Sequence, residues 1–288
     1  MTEDKVADRS VFACIDGSSS RDHVCDYSSW IAKQMSIPLK LLHTIEHRQN
    51  PAVVDFSGTI GVAGQQGLLD ELAKFEQERR SALIDQGSLL LHEASDRAKK
   101  VMGIEVVEHV QRHGTVQEAL IDLEEDVRVL VLGIRGETHD RRQEGVGTQL
   151  EAIIRSIHKP ILVVNKEFQE PKKVMLAFDG SKNCLKALDW IAKAKNFSHI
   201  PCHVVHVGDN GDKLLQGATR TLEAAGIEVV AAQISGNIHE ALASYQEDHN
   251  IDLTLMGAFS HTKIRGLLLG SFTAKMLEAT KRPLLLLR

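Results

Sequence analysis

Short apolar runs alternate with amphipathic stretches along the whole chain. Val174–Phe178 is unbroken and apolar and stops at Asp179-Gly180, the pattern of a strand buried on both faces of a parallel sheet. Leu185, Leu188, Trp190, Ile191 and Ala194 then recur at helical spacing. The same reading predicts a strand at His203–Val207, a helix at Leu214–Ala225 and a strand at Ile227–Ile234. Asn237-Ile-His-Glu240 has the form of a capping box and opens the next helix. A strand at Asp252–Gly257, a helix at Ser271–Lys281 and a strand at Pro283–Arg288 complete the series. Strands separated by helices predict an α/β, doubly wound parallel sheet. Such sheets bind ligands beyond the carboxyl ends of their strands, where the strand order reverses.

The pattern occurs twice. VFACIDGSSS at Val11 returns as VMLAFDGSKN at Val174, and PLKLLHTIE at Pro38 returns as PCHVVHVGD at Pro201, both 163 residues later. GTVQEAL at Gly114 returns as GNIHEAL 122 residues on, and the strand ending at Gly133 has its counterpart ending at Gly257. HKPILVV matches KRPLLLL. Common order and spacing divide the chain into two repeats, residues 1–167 and 168–288, with a short charged linker near Lys166–Lys172. The fall in separation gives the first repeat 41 extra residues. That enlargement, Arg48 to Gly103, starts with a glycine-rich apolar loop (Val53, Val54, Phe56, Gly58, Gly61, Gly64, Gly67) and continues as a helical pattern from Leu68 to Lys100. It reads as an elongated helix with a surface loop, or as a lid or partner-binding flap. Thr115-Val-Gln-Glu118 predicts a second capping box.

Candidate chemistry follows the fourth strand of each repeat. In the second repeat Gly257-Ala-Phe-Ser260 is followed by nine residues and then Gly270-Ser271-Phe272-Thr273. A loop between a strand end and a helix start aims free N–H groups and the positive end of a helix dipole at an anion. His261, Lys263 and Arg265 lie in this loop with no acid among them. The first repeat keeps Gly133 and Gly136, then has ten residues before Gly147-Thr148. There Arg135, Arg141 and Arg142 are offset by Glu137, Asp140 and Glu144. Thr148-Gln-Leu-Glu151 is itself a capping box, which would occupy N–H groups that a phosphate needs. Ala274 leaves the corresponding position of the second repeat open. The plainer reading makes both loops structural strand-to-helix turns.

These loops resemble the Gly-x2-Gly-x9-Gly-Ser/Thr pattern of the universal stress protein family. Asp16-Gly17-Ser18 and Asp179-Gly180-Ser181 at the first strand end, and Leu42-His43-Thr44 and Val205-His206-Val207 on the second strand, extend the resemblance over nearly the whole chain. It implies two Rossmann-like, adenine nucleotide alpha hydrolase-like domains, each a five-stranded parallel sheet with helices on both faces. It implies ATP, ADP or AMP as ligand, with Mg arriving on the nucleotide. Asp179, Gly180, Ser181 and Val207 would surround the base, and Gly257, Ser260, His261, Lys263, Gly270, Ser271, Phe272 and Thr273 the ribose and phosphates. Asp16, Gly17, Ser18, Thr44, Gly133, Gly136, Gly147 and Thr148 would form a weaker second site. Neither repeat matches fully: Ser260 replaces the second glycine, and the first repeat has one residue too many. Family members dimerise through the last strand, so Ile161–Val164 and Leu284–Leu287 are expected to pair within this chain as an intramolecular pseudo-dimer, with room for a homodimer beyond it.

Bulk properties narrow the reading. A formal charge of −5 supplies no positive field for a nucleic-acid backbone. No apolar run approaches a membrane span, and the polar start MTEDKVADRS does not read as a signal peptide. The four cysteines form no CxxC pair and read as reduced thiols of a cytoplasmic protein. His203 and His206 are three apart on a strand and face opposite ways, so they do not make a metal site. His43 and His206 are repeat equivalents and suggest a shared packing role. No Gly-x-Ser-x-Gly elbow or Gly-x4-Gly-Lys-Ser/Thr loop is present, so no hydrolytic set assembles. Three readings remain: a nucleotide-responsive regulator, a scaffold that binds protein without nucleotide, and a slow ATPase or nucleotidyl transferase.

Overall fold

The computed structural model describes residues 9–46, 62–136, 148–194, 198–258 and 271–288. The first repeat contributes β1 (Ser10–Cys14), β2 (Leu39–Ile45), β3 (Val107–His113), β4 (Val127–Gly133) and β5 (Ile161–Val164). The second contributes β6 (Val174–Ala177), β7 (Cys202–Val207), β8 (Val229–Ile234), β9 (Leu253–Gly257) and β10 (Leu284–Leu287). The helices are α1 (Arg21–Met35), α2 (Val62–Arg97), α3 (Val116–Asp122), α4 (Thr148–Ser156), α5 (Lys182–Lys193), α6 (Asp212–Ala224), α7 (Ile238–Asp248) and α8 (Ser271–Ala279).

The strands form one ten-stranded sheet in the order β3-β2-β1-β4-β5-β10-β9-β6-β7-β8. Within each repeat all neighbours are parallel, and the order reverses direction beside the first strand of the repeat. The repeats meet where β5 and β10 pair antiparallel, with Leu284 opposite Val163, Leu285 opposite Leu162 and Leu286 opposite Ile161. Two wholly apolar strands that would each be an exposed edge thus cover one another.

Alternation along the strands divides the core between the two faces of the sheet. Val11, Ala13, Leu285 and Leu287 enter one cluster with residues of α1, α5 and α6. Phe12, Leu284 and Leu286 enter the other with residues of α3, α4, α7 and α8. Local signals set the helix ends. Thr115 and Glu118 close the expected capping box at α3. Asn237 instead caps α7 by accepting from the His239 N–H, two residues on, an Asx-type cap rather than a box.

The enlargement of the first repeat resolves mainly into helix. α2 runs 36 residues from Val62 and takes in Gly64 and Gly67, which the sequence pattern had placed in a loop. Residues 47–61, including Val53, Val54, Phe56, Gly58 and Gly61, lie outside the described residues. Glycines show how the repeats correspond here. A side chain at Gly87 of α2 would meet His43 Cδ2 at 2.4 Å, and one at Gly211, just before α6, would meet His206 Cδ2 at 2.4 Å. Both positions carry no side chain so that a helix can lie against the strand-two histidine. The part of α2 after Gly87 therefore corresponds to α6, and the part before it is an extension. Sixteen residues separate Gly87 from Gly103, whereas fifteen separate Gly211 from Gly226. The added residue is taken up by a π turn at Ala98–Met102. Gly103 and Gly226 then end both helices at positive φ, 69° and 80°.

Polar contacts fix the base of α2 to α1. Arg97 donates from Nε and Nη2 to the two oxygens of the buried Asp26 carboxylate, both at 2.7 Å, and reaches Asp22 at 3.2 Å. Arg21 pairs with Glu93 at 2.8 Å. By contrast, residues 71–82 of α2 are exposed all round the helix.

Candidate functional site

Each first strand ends on an aspartate that organises the next turn. Asp16 accepts from the Ser18 N–H at 3.0 Å and from the Ser18 hydroxyl at 2.5 Å, while Asp179 accepts from the Ser181 N–H at 2.8 Å. Ser181 caps α5 by accepting from Cys184 N–H. The strand-two histidines then tie two strand ends together. His43 Nδ1 bonds the Ile15 carbonyl at 2.8 Å and His206 Nδ1 bonds the Phe178 carbonyl at 2.9 Å. A carbonyl only accepts, so Nδ1 carries the proton in both, and the expected shared packing role is a hydrogen bond.

In the first repeat this frame encloses a cavity of about 690 Å³ at the carboxyl ends of β1, β2 and β4. Asp16, Gly17, Thr44, Gly133 and Gly136, named from sequence for the weaker second site, all line it. Ser18 does not: it is buried and turned onto Asp16, where it orients the carboxylate. Gly147 lies outside the described residues, as does the Thr148 side chain, and with them the box proposed at the start of α4. Glu151 of that box pairs with Arg155 at 3.8 Å.

Several lining residues were not among the site residues expected from sequence. Ser20 and Arg135 face each other across the β4 turn, the Ser20 hydroxyl donating to the Arg135 carbonyl at 3.4 Å. A side chain at Gly133 would strike Ser20 Oγ at 2.2 Å, so this glycine permits close packing of the α1 start as well as access to a ligand. Gln149 donates to Glu46 at 2.6 Å, a strap from the first turn of α4 to the end of β2. Arg79, Leu83, Gln86 and Leu90 of α2 form another wall. Cys14 also lines the cavity, but burial, reinforced by the Asp16 charge, pushes its thiol pKa far up and keeps it protonated. It is therefore not a poised nucleophile.

The second repeat is built differently at the same place. Gly180, at φ 72°, lies against Leu214, whose Cδ2 would be 2.7 Å from an added side chain. Gly257 lies against the backbone of Asn183 and Cys184, and Asn183 donates to the Ala258 carbonyl at 2.5 Å. Val207 is half-buried at the end of β7. Thr273 is 1% exposed, and its buried hydroxyl has no hydrogen-bond partner among the described residues. Ser260, His261, Lys263 and Gly270 lie outside the described residues, as do the side chains of Ser271 and Phe272. Among the described residues no group of three or more His, Cys, Asp or Glu could hold a metal ion, and no helix is long and apolar enough to cross a membrane.

The model of the Universal stress protein family matches residues 9–165 and 209–288. The chain belongs to the universal stress protein family. Universal stress protein Slr1230 of Synechocystis sp. is 37% identical over 287 residues, covering 97% of this chain and 100% of the relative. A universal stress protein from Archaeoglobus fulgidus has the same fold along nearly its full length, with a TM-score of 0.71 at 19% identity and 98% of each chain covered. A functionally unknown protein from Pseudomonas aeruginosa superposes with a TM-score of 0.62 at 13% identity, over 99% of this chain and 94% of that one. Two universal stress protein repeats in one chain account for the matched architecture. The second family match begins beyond β7, so the Asp179-Gly180-Ser181 turn falls between the matched segments.

Proposed function

We propose that this universal stress protein binds an adenine nucleotide and acts as a nucleotide-responsive regulator, with no turnover required. The observation that carries the reading is the first-repeat cavity. At about 690 Å³ it lies within the range of small-molecule sites. It sits where the strand order reverses, beyond the strand ends. It joins an apolar part (Val24, Leu42, Leu132, Ile153) to a polar part (Asp16, Thr44, Arg135, Gln149). Gly133 and Gly136 leave backbone open beside the first turn of α4, where N–H groups favour phosphate. ATP is the expected form, and Mg would enter with its phosphates rather than on a protein cage.

The second repeat keeps its own claim. Its loop carries Lys263 and Arg265 without an acid, and Ala274 follows Thr273 where the first repeat has Glu151. On sequence it is the stronger phosphate site, and on described geometry the first repeat is the formed pocket.

Calorimetric titration of ATP into the wild type, Gly136→Asp and Gly270→Asp tests both. A side chain at Gly136 would start 3.3 Å from Asp16 Oδ2, so Gly136→Asp adds a further carboxylate beside Asp16 and should weaken the ATP site by at least roughly tenfold. Loss of binding with Gly270→Asp alone would place the nucleotide in the second repeat. Retention of wild-type affinity in both variants would refute the nucleotide reading.

A further inference from the structure

We infer that the helical extension of α2, which the second repeat lacks, supplies ligand-contacting residues to the first-repeat site, with Arg79 reading the phosphate end of the ligand. The inference rests on the nucleotide reading above.

The geometry begins at Gly87. There the helix touches His43 near the carboxyl end of β2, so Gly87 marks the level of the strand ends. Going back from Gly87 toward its N-terminus, α2 continues past that level. Eight residues at 1.5 Å each place Arg79 about 12 Å farther along the helix axis. A ligand at a switch point occupies this same zone beyond the strand ends. Gln111 braces the rising helix by donating to the Ile84 carbonyl at 3.1 Å. In the second repeat α6 starts at Asp212, one residue after the equivalent glycine, so among the described residues no helix forms such a wall there.

The residues turned to the cavity are Arg79, Leu83, Gln86 and Leu90. Their spacing of four, three and four puts them on one helix face. Leu90 is the repeat equivalent of Leu214, the residue that lies over Gly180 in the second repeat. The stripe therefore grades from apolar near the sheet to cationic farther out. That order suits a ligand with a flat apolar part held deep and an anionic part held outward. Arg79 of α2 and Arg135 of the turn after β4 both line this cavity, so two cationic residues contribute to its wall. Arg79 has an intrahelical partner, Glu76 at 3.6 Å, and its side chain is 43% exposed. A phosphate could take over its charge without opening the core.

The test uses the full chain in the Gly270→Asp background, so that the heat of titration reports the first repeat. ATP and adenosine are titrated into this protein and into its Arg79→Ala, Arg79→Lys and Leu83→Asp derivatives, with circular dichroism to confirm the helix. Arg79→Ala should weaken ATP at least about tenfold and leave adenosine within about twofold. Arg79→Lys should recover most of the ATP affinity. Leu83→Asp should weaken both ligands. Unchanged affinity for both ligands in Arg79→Ala and Leu83→Asp would overturn this inference while leaving the nucleotide reading in place. Equal losses of ATP and adenosine in Arg79→Ala would overturn the phosphate role. No binding of either ligand in the Gly270→Asp background would overturn the first-repeat reading itself, and this inference with it.

Discussion

Replacing one glycine by alanine in each of two corresponding helices should change stability in opposite directions. Gly217 lies in α6, exposed, with nothing within 4 Å of an added side chain. Gly217→Ala should therefore stabilise by about 1 kcal/mol through helix propensity alone. Gly87 lies in α2 and has the same propensity to gain, but an added side chain would meet His43 Cδ2 at 2.4 Å and Gln111 Nε2 at 2.3 Å. Gln111 can swing aside. The His43 ring is held by its 2.8 Å bond to the Ile15 carbonyl, so it moves only by giving up that bond. Overpacking costs about 1–3 kcal/mol and the lost hydrogen bond about 1 kcal/mol. After the propensity gain, Gly87→Ala should be net destabilising by about 1–3 kcal/mol. The two variants should differ by about 2–4 kcal/mol, or roughly 3–7 °C in Tm. Thermal and urea denaturation followed by circular dichroism would measure this. If Gly87→Ala stabilised the protein as much as Gly217→Ala does, the helix could not be packed on His43 as described. The correspondence of α2 with α6 would then fall too.

The pH dependence of stability should follow three histidines whose pKa values are lowered. Burial of His203, reinforced by His249 and Lys173, holds its pKa below the usual 6.5, and burial acts in the same direction on His109 and His239. The unfolded chain then takes up protons first, so the stability from these residues is complete above pH 6.5 and is lost as pH falls through their folded values. The urea midpoint should be lower at pH 5 than at pH 7.5, and His203→Phe should flatten part of that slope; a pH-independent midpoint would contradict it. At the seam, Leu162 and Leu285 are paired and buried. Each change to alanine should cost about 2–5 kcal/mol, and the double variant at least about 0.5 kcal/mol less than the sum of the two. Strict additivity would mean that the two side chains do not share a contact.

Much of the fold could be read without coordinates because burial leaves a periodic imprint. Val174–Ala177 and Leu284–Leu287 are apolar at every position since both faces of the sheet are covered, and the duplicated Asp-Gly-Ser turns mark where each first strand ends. The Thr115–Glu118 box was legible because its bonds span three residues. Boundaries were less so: Gly64 and Gly67 look like loop residues by propensity, yet they lie inside α2.

The site was legible only along its strand ends. Asp16, Thr44, Gly133 and Gly136 belong to motifs and could be named from spacing. Ser20, Glu46, Arg79, Arg135 and Gln149 were not named as site residues, and it is folding that brings them to one cavity. Gln149 and Glu46 are 103 residues apart and meet at 2.6 Å. Sequence also ranked the second repeat above the first from loop charge, whereas the formed pocket among the described residues depends on a helix that arrives from the enlargement.

The sequence by itself thus determined the duplication, the alternation of strand and helix, and the repeated plan of the turns, because each is encoded by neighbours or by a fixed period. The long helix of the enlargement was legible too, but tertiary structure alone decided that it would pass the strand ends and wall the first-repeat cavity. That outcome depends on Gly87 meeting His43 and Arg97 meeting Asp26, contacts between segments with no shared period.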